Sequence, residues 1–383
     1  MHPMLKPALR RAWRDLQSVQ FGATRAHAVV VGPVDTTTGS LLRLLDGTRG
    51  MERLRGEARA LGLPDGLFER LLGRLAEAGL IADGSAGRPG KAGAATSADG
   101  ALDPLRADLA SLSVIDPEPD GALRRLAARR ALCVQVRGAG RVGAAVAALL
   151  SASGVGRVEV LDSGSVEPWE VSPGGLPAEA VGERRAAAAR RLVGRSAPGG
   201  RAPRTTRSES AEKGHEPGLS LVVVTPRDGL AAYLPDPALA ESWITTGTPH
   251  LYAGVLEATG FVGPLVLPGG TACAGCVQEE RTDREPMWPR MLAQWRSGAA
   301  EALPACDLGL ATAVAGLAAA HALAFLDGEL PASVGARFEA SLPLLEWRAE
   351  RMRPHAGCSC GALRRGEGEH DAEAPTPHDT MAG

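Results

Sequence analysis

The sequence predicts an α/β fold, a Rossmann-like domain preceded by a small winged-helix module. Three observations predict it. Gly138-Ala-Gly-Arg-Val-Gly143 lies between an apolar run and a small-residue helical segment, with Asp162 about 20 positions further on. Cys273-Ala-Gly-Cys276 and Cys358-Ser-Cys360 form two tight thiol pairs far apart in the chain. Residues 1–83 carry three helical patterns and short strand candidates ahead of a stretch rich in Gly, Ala and Ser.

In chain order, Ala28-Val-Val-Val31 reads as a strand, and Thr36 to Leu45 and Met51 to Leu61 read as helices. Asp65 is the expected cap of a helix from Gly66 to Ala78, in which Leu67, Leu71, Leu72 and Leu75 fall at helical spacing. Gly84 to Gly100 has no periodicity and reads as flexible linker, and residues 84–122 are expected to join the two domains. A basic helical segment opens at Leu123, and Ala131 to Arg137 is a nearly continuous apolar strand. After the glycines come a helix through Leu150 and a second strand, Val158 to Leu161, ending on Asp162. This β-α-β context makes the glycine motif credible: Gly138 permits the tight turn, Gly140 lets backbone approach a phosphate, and Gly143 lets helix and strand pack closely. Asp162 is placed to bond ribose hydroxyls or to cap the next turn. Leu219 to Thr225 and Pro249 to Leu256 read as further parallel strands. Pro198 to Gly218 is polar, Glu279 to Ser297 reads as a surface helix or lid, and residues 364–383 form an acidic tail, disordered by composition.

A C-x-x-C turn aims two thiolates at one point, and a second pair can complete the tetrahedral S₄ shell that structural zinc prefers. Cys273, Cys276, Cys358 and Cys360 are the predicted ligands, with His355 as a possible substitute. The same pairs also admit a redox-active reading or one of plain reduced thiols. Cys133 and Cys306 sit in apolar or small-residue sequence and read as inert thiols.

A chain of 383 residues accommodates two or three domains. The formal net charge of −2 argues against wholesale nucleic-acid binding, which favours a basic excess. The first fifteen residues hold several charges and no apolar centre, so no signal peptide is expected. The Ala-rich Leu308 to Leu326 reads as a buried helix, and no membrane association is expected. A cytoplasmic, reducing setting follows, which favours zinc over disulfides.

The glycine motif, Asp162, Val181-Gly-Glu-Arg-Arg185, Leu221-Val-Val-Val-Thr-Pro-Arg-Asp228 and the cysteine pairs together resemble the ThiF/MoeB/HesA superfamily, relatives of the ubiquitin-activating enzymes. The similarity covers about Arg124 to Ala362, which implies a ThiF-like domain over residues 123–363. In that family ATP activates a C-terminal carboxylate as an acyl-adenylate, beside a distant structural zinc. Leu5 to Trp13, Leu44 to Thr48, Gly263 to Cys273 and Pro354 to Cys360 resemble an actinobacterial subgroup that matures azole- and azoline-containing ribosomal peptides. The resemblance implies a winged-helix element that binds a precursor's leader peptide, a separate YcaO-type cyclodehydratase as partner, and a homodimer. It also implies nucleotide-site roles for Gly138, Gly140, Gly143, Asp162, Arg185 in place of a triphosphate-binding lysine, and Asp228 near a magnesium-binding aspartate.

Departures from the catalytic members accompany it. Arg141 stands where they carry a second glycine, and Val171-Ser-Pro-Gly-Gly-Leu-Pro177 stands where an Asn-Leu-x-Arg-Gln segment contacts ATP. The leading expectation is therefore a non-catalytic or weakly nucleotide-binding scaffold that captures a leader peptide and presents it to a partner enzyme; ATP and Mg²⁺ are required by the alternative, an ATP-dependent adenylyltransferase acting on a peptide or small-protein C terminus. A dinucleotide oxidoreductase is a third option, for which no hydride-transfer site is recognisable. Read from the residues alone, Arg185 shares a helix with Arg184, Arg190 and Arg191, and a solvated basic face accounts for most of them. Arg141 suits a phosphate or an acidic partner, and Asp228 suits a turn. Cys306 has no identifiable base beside it to make it a nucleophile. The helix from Gly66 to Ala78 balances Glu69 and Glu77 against Arg70 and Arg74, which favours peptide capture by strand addition over DNA binding.

Overall fold

The computed structural model describes residues 1–84, 103–199, 218–298 and 303–363. The Gly-rich linker, most of the polar Pro198 to Gly218 segment and the acidic tail lie outside the described residues. The chain divides into two compact units, the first built mainly from Met1–Ala131 and the second from the remainder.

The first unit has two small antiparallel sheets. β1 (Pro3–Leu5) pairs with β5 (Ile81–Asp83), and β2 (Arg11–Trp13), β3 (Val19–Phe21) and β4 (Val29–Val31) form a meander in that order. The helices are α1 (Thr36–Leu44), α2 (Met51–Ala60) and α3 (Leu67–Glu77). Asp35 caps α1 by accepting the Thr38 N–H at 2.7 Å. Phe68, Leu71, Leu72 and Leu75 fall at i, i+3, i+4 and i+7 of α3 and bury together with Val19, Phe21, Leu41 and Leu54. Asp65 does not cap α3. Gly66 holds that position at φ 76 with no side-chain cap, a left-handed conformation open to glycine and costly for aspartate.

The stretch expected to be linker carries structure beyond residue 103. α4 (Arg106–Ile115) and α5 (Gly121–Arg129) belong to the first unit, because Leu105, Leu112, Ala122 and Leu126 bury against one another. Arg125 pairs with Asp116 at 2.7 Å, and the buried Lys6 ammonium donates to the Asp116 carbonyl at 2.6 Å, fastening β1 to these helices. Burial pulls the Lys6 pKa down, partly offset by the Asp116 charge.

The second unit is a seven-stranded sheet in the order β12-β11-β10-β9-β8-β6-β7. β6 (Cys133–Arg137), β7 (Arg157–Leu161), β8 (Leu221–Val224) and β9 (His250–Leu256) run parallel, and β10 (Thr259–Val266), β11 (Ala336–Ser341) and β12 (Arg348–Arg351) extend the sheet antiparallel. α6 (Arg141–Ala152) and α7 (Arg185–Ser196) are the crossover helices, followed by α8 (Leu230–Tyr233) and α9 (Pro237–Thr246). The expected lid resolves into two helices, α10 (Ala274–Arg284) and α11 (Trp288–Gly298). α12 (Leu308–Leu326) is long and apolar enough to cross a membrane by length and composition, yet it buries Leu310, Val314, Ala318 and Ala322 in the main core, packed on β9 and β10. Because β7 and β8 flank β6 on opposite sides, a crevice opens at the carboxyl ends of these strands, where α/β sheets bind their ligands.

Candidate functional site

Two sites stand out in the second unit, a thiol knuckle and the crevice above β6. The knuckle starts at Cys273, in extended conformation immediately before α10, with Cys276 in the helix's first turn. Cys358 and Cys360 arrive from the loop after β12. The sulfur separations are 3.9 Å for Cys273–Cys276, 3.6 Å for Cys273–Cys358 and 3.5 Å for Cys276–Cys360, and all four sulfurs lie within 4.8 Å of one another. A tetrahedral shell with Zn–S near 2.3 Å has edges of about 3.8 Å, so this donor set fits zinc as it stands. The third residue of C-A-G-C matters too, because a Cβ at Gly275 would sit 2.8 Å from the Cys358 sulfur.

The thiols are electrostatically coupled. Cys276, hydrogen-bonded by Cys273, has its pKa drawn down to about 4, while burial pushes Cys358 up to about 11. Cys273 is also pushed up, by the hydrogen bond it gives to Cys276 and by burial. A divalent cation resolves this conflict, since it lets every coordinating thiol ionise. His355 is not a fifth donor: its Nδ1 accepts the Gly357 N–H at 3.1 Å, which leaves Nε2 to donate to Asp283 on α10 at 2.9 Å. The knuckle packs on Tyr252, Phe261, Val266 and Met352, so it buttresses β9 and β10.

The crevice measures about 600 Å³ and is lined by Arg137, Gly138, Asp162, Arg185, Arg227 and Trp243 among others. Gly138 adopts φ 109 in the turn after β6. Asp162 and Arg185 come together at its floor. Asp162 Oδ2 accepts the Ala139 N–H at 2.6 Å, and its Oδ1 takes Arg185 Nη1 at 2.7 Å. Arg185 also donates from Nε to Glu170 at 2.9 Å and from its terminal nitrogens to the carbonyls of Ser163 and Ser165, each at 2.7 Å. Burial alone would lower the Arg185 pKa, but Asp162 and Glu170 outweigh it and raise it. Arg185 is therefore a buried, fully engaged guanidinium, 6 % exposed, and not part of a solvated basic face. At the first position of α7 its side chain turns back into the loop that precedes the helix.

Other predicted residues lie apart from this cluster. Arg141 Nη1 donates to the Cys306 carbonyl at 2.7 Å, and Asp228 caps the Leu230 N–H at 3.2 Å in the turn before α8. Cys306 is half-buried, and burial raises its thiol pKa. Sequence reasoning did not single out Glu170, His250 or Arg337. Arg337 is fully buried, donates to the Tyr233 carbonyl at 3.0 Å and stacks on the Tyr233 ring at 4.4 Å. It also pairs with Glu339, two positions on, at 3.3 Å, but the Tyr233 contacts that bury it come from about a hundred positions away and leave no local pattern.

His250 is fully buried between Trp243 and Tyr252, and desolvation lowers its pKa to about 4 from the ordinary 6.5. The unfolded chain takes up the proton first, so stability is intact above about pH 6.5 and declines as pH falls towards 4. This site is expected to contribute a loss of about 2 kcal/mol between pH 7 and pH 5. Urea denaturation of a His250→Phe variant at both pH values should show that much less acid sensitivity than the natural chain, and an unchanged pH slope would refute the assignment.

Comparison with solved structures finds the same fold in E. coli MccB bound to AMPCPP and MccA (TM-score 0.67, 15% identity, 94% of this chain and 100% of that chain). E. coli MccB with ATP (TM-score 0.65, 15%, 94% and 99%) and PaaA (TM-score 0.64, 15%, 91% and 99%) match similarly. No curated protein sequence matches. Residues 119–362 match the ThiF family, which is well over half of the chain. The glycine turn, the mixed sheet and the thiol knuckle thus sit in a chain that belongs to the ThiF family.

Proposed function

We propose that this protein is a peptide-recognition scaffold in the maturation of ribosomally made peptides. Its first unit acts as a winged-helix-like module, within residues 1–83, that captures a precursor's leader peptide. Its ThiF-like domain then presents that precursor to a separate YcaO-type cyclodehydratase in the cytoplasm, as a homodimer, with Zn²⁺ held structurally by Cys273, Cys276, Cys358 and Cys360.

The observation that carries this reading is the edge of the three-stranded sheet. β4 is an outermost strand made of three valines, Val30 is 47 % exposed, and α3 lies beside it, with Arg74 Nη2 donating to the Gly32 carbonyl at 3.3 Å. An open, uncharged edge next to a helix is the geometry of peptide capture by strand addition: main-chain bonds supply affinity and the helix–strand groove supplies selectivity. MccB, solved with MccA, offers a precedent for a peptide ligand on this fold.

The test is fluorescence anisotropy of labelled leader peptides from a panel of azole-type precursors, titrated with the full-length protein. Saturable binding is expected, weakened at least tenfold by Val30→Pro, since proline removes a main-chain donor and is tolerated on an edge strand. No binding across the panel, or an unaffected affinity in the variant, would defeat the reading.

The adenylyltransferase reading draws on the crevice above β6 and on the likeness to MccB solved with ATP. It requires peptide-dependent ATP–pyrophosphate exchange that vanishes in Asp162→Ala or Asp228→Ala.

A further inference from the structure

The arginines and acids at the crevice floor do not fit a nucleoside triphosphate, and the misfit has a residue-level cause. A ribose-binding aspartate must present its oxygens outward. Both oxygens of Asp162 face inward here, one onto the Ala139 N–H and one onto Arg185, and its side chain is only 8% exposed. A triphosphate also needs uncompensated positive charge. The Arg185 guanidinium already meets two carboxylates, Asp162 at 2.7 Å and Glu170 at 2.9 Å, so the cluster is formally negative before any phosphate arrives. Four of its five N–H donors are committed, two of them to backbone carbonyls of the loop it fills.

Two of the remaining cations do not replace it, and a third, Arg137, donates to Gln135 Oε1 at 2.9 Å and lies over the Trp243 ring at 4.8 Å. Arg141, at the start of α6 where a phosphate would sit, reaches away to the Cys306 carbonyl. Arg227 stands over Gly140, its Cα and Cγ 3.5 Å from where a Cβ would be, on the approach that glycine would open to phosphate. Its Nε lies 3.9 Å from Glu170 Oε1, a buried oxygen with no hydrogen-bond partner. The charge of Arg227 therefore offsets that carboxylate and is not spare.

We infer that Arg185 is a built-in counter-ion that takes the place of a nucleotide's contact to Asp162: bound between Asp162 and Glu170 beneath the crevice, it makes Asp162 a structural residue and not a ligand contact. The inference concerns the second unit alone and does not rest on leader-peptide capture.

The test uses the full-length, metal-replete protein. Calorimetric titration with Mg²⁺-ATP to about 2 mM should give no saturable heat for the natural chain or for Asp162→Asn. Asp162→Asn and Arg185→Gln should each lower the thermal midpoint by several degrees, and the double variant should lower it by clearly less than their sum, because both singles break one interaction. If Arg185→Gln does not fold, Arg185→Lys, which keeps the charge and loses the forked geometry, takes its place in the cycle. Saturable ATP binding that Asp162→Asn weakens would overturn the inference, and so would additive midpoint shifts. Peptide anisotropy run alongside separates the two readings, since ATP binding would overturn the counter-ion role of Arg185 and leave leader capture standing.

Discussion

Replacing Cys273 and Cys276 together by serine is expected to strip the protein of its metal and most of its stability. Metal analysis of the natural chain should return about one zinc per chain, and the variant none. Three sulfur separations of 3.5 to 3.9 Å are close to the edge of a tetrahedral site, and all four sulfurs lie within 4.8 Å of one another. The metal would tie α10 to the loop after β12 across 85 residues of sequence, which is the kind of long-range staple whose loss a chain feels most. The knuckle also roofs Tyr252, Phe261 and Met352, so its failure would expose apolar surface on β9 and β10. A loss of several kcal/mol follows, seen as a fall in thermal midpoint that added chelator reproduces in the natural chain. Absence of metal in freshly purified, reduced protein would defeat the zinc assignment.

Gly143→Ala is expected to cost about 3 kcal/mol or more, although it adds a single methyl group. That methyl would fall against the Gly138 carbonyl oxygen and within 2.5 Å of Thr225 Oγ1, where α6 crosses the ends of β6 and β8. Backbone on one side and a buried threonine on the other leave it no room to shift. Gly56→Ala is the control: Gly56 is on the exposed face of α2 with nothing within 4 Å of its missing Cβ. That change should stabilise by roughly 0.5–1 kcal/mol through helix propensity. Urea denaturation of the two variants measures both, and equal effects would show that helix propensity, not the close approach, governs Gly143.

The residues that could be read from sequence are those whose chemistry is local. Gly138, Gly140 and Gly143 sit in one turn, so their spacing announces a strand–turn–helix, and the structure places β6, α6 and β7 around them. The cysteines announce themselves in pairs for the same reason, and the knuckle brings both pairs together. Leu71, Leu72 and Leu75 declare the buried face of α3 by period alone. At the floor of the crevice Asp162 and Arg185 were named by resemblance, but their pairing with Glu170 was illegible, because it is assembled from a crossover loop without periodicity. Glu170 carries no motif, and nothing in the run of arginines from 184 to 191 says that the one at 185 turns inward to meet it. The antiparallel half of the sheet was hidden differently. β11 carries Arg337 and Glu339 along its length and β12 is exposed throughout, so neither shows the apolar alternation that marks a half-buried strand.

The seven-stranded sheet and the meander are finished in opposite ways at one edge each. The seven-stranded sheet ends in β12, where Arg348, Glu350 and Arg351 put charge along the open side, a composition that keeps a further strand from joining. The meander ends in β4, where Val29, Val30 and Val31 put none. A bare valine edge does not distinguish a cognate peptide from the same edge on another molecule. Concentrating the protein is therefore expected to favour pairing of two β4 edges, and an occupying peptide to suppress it.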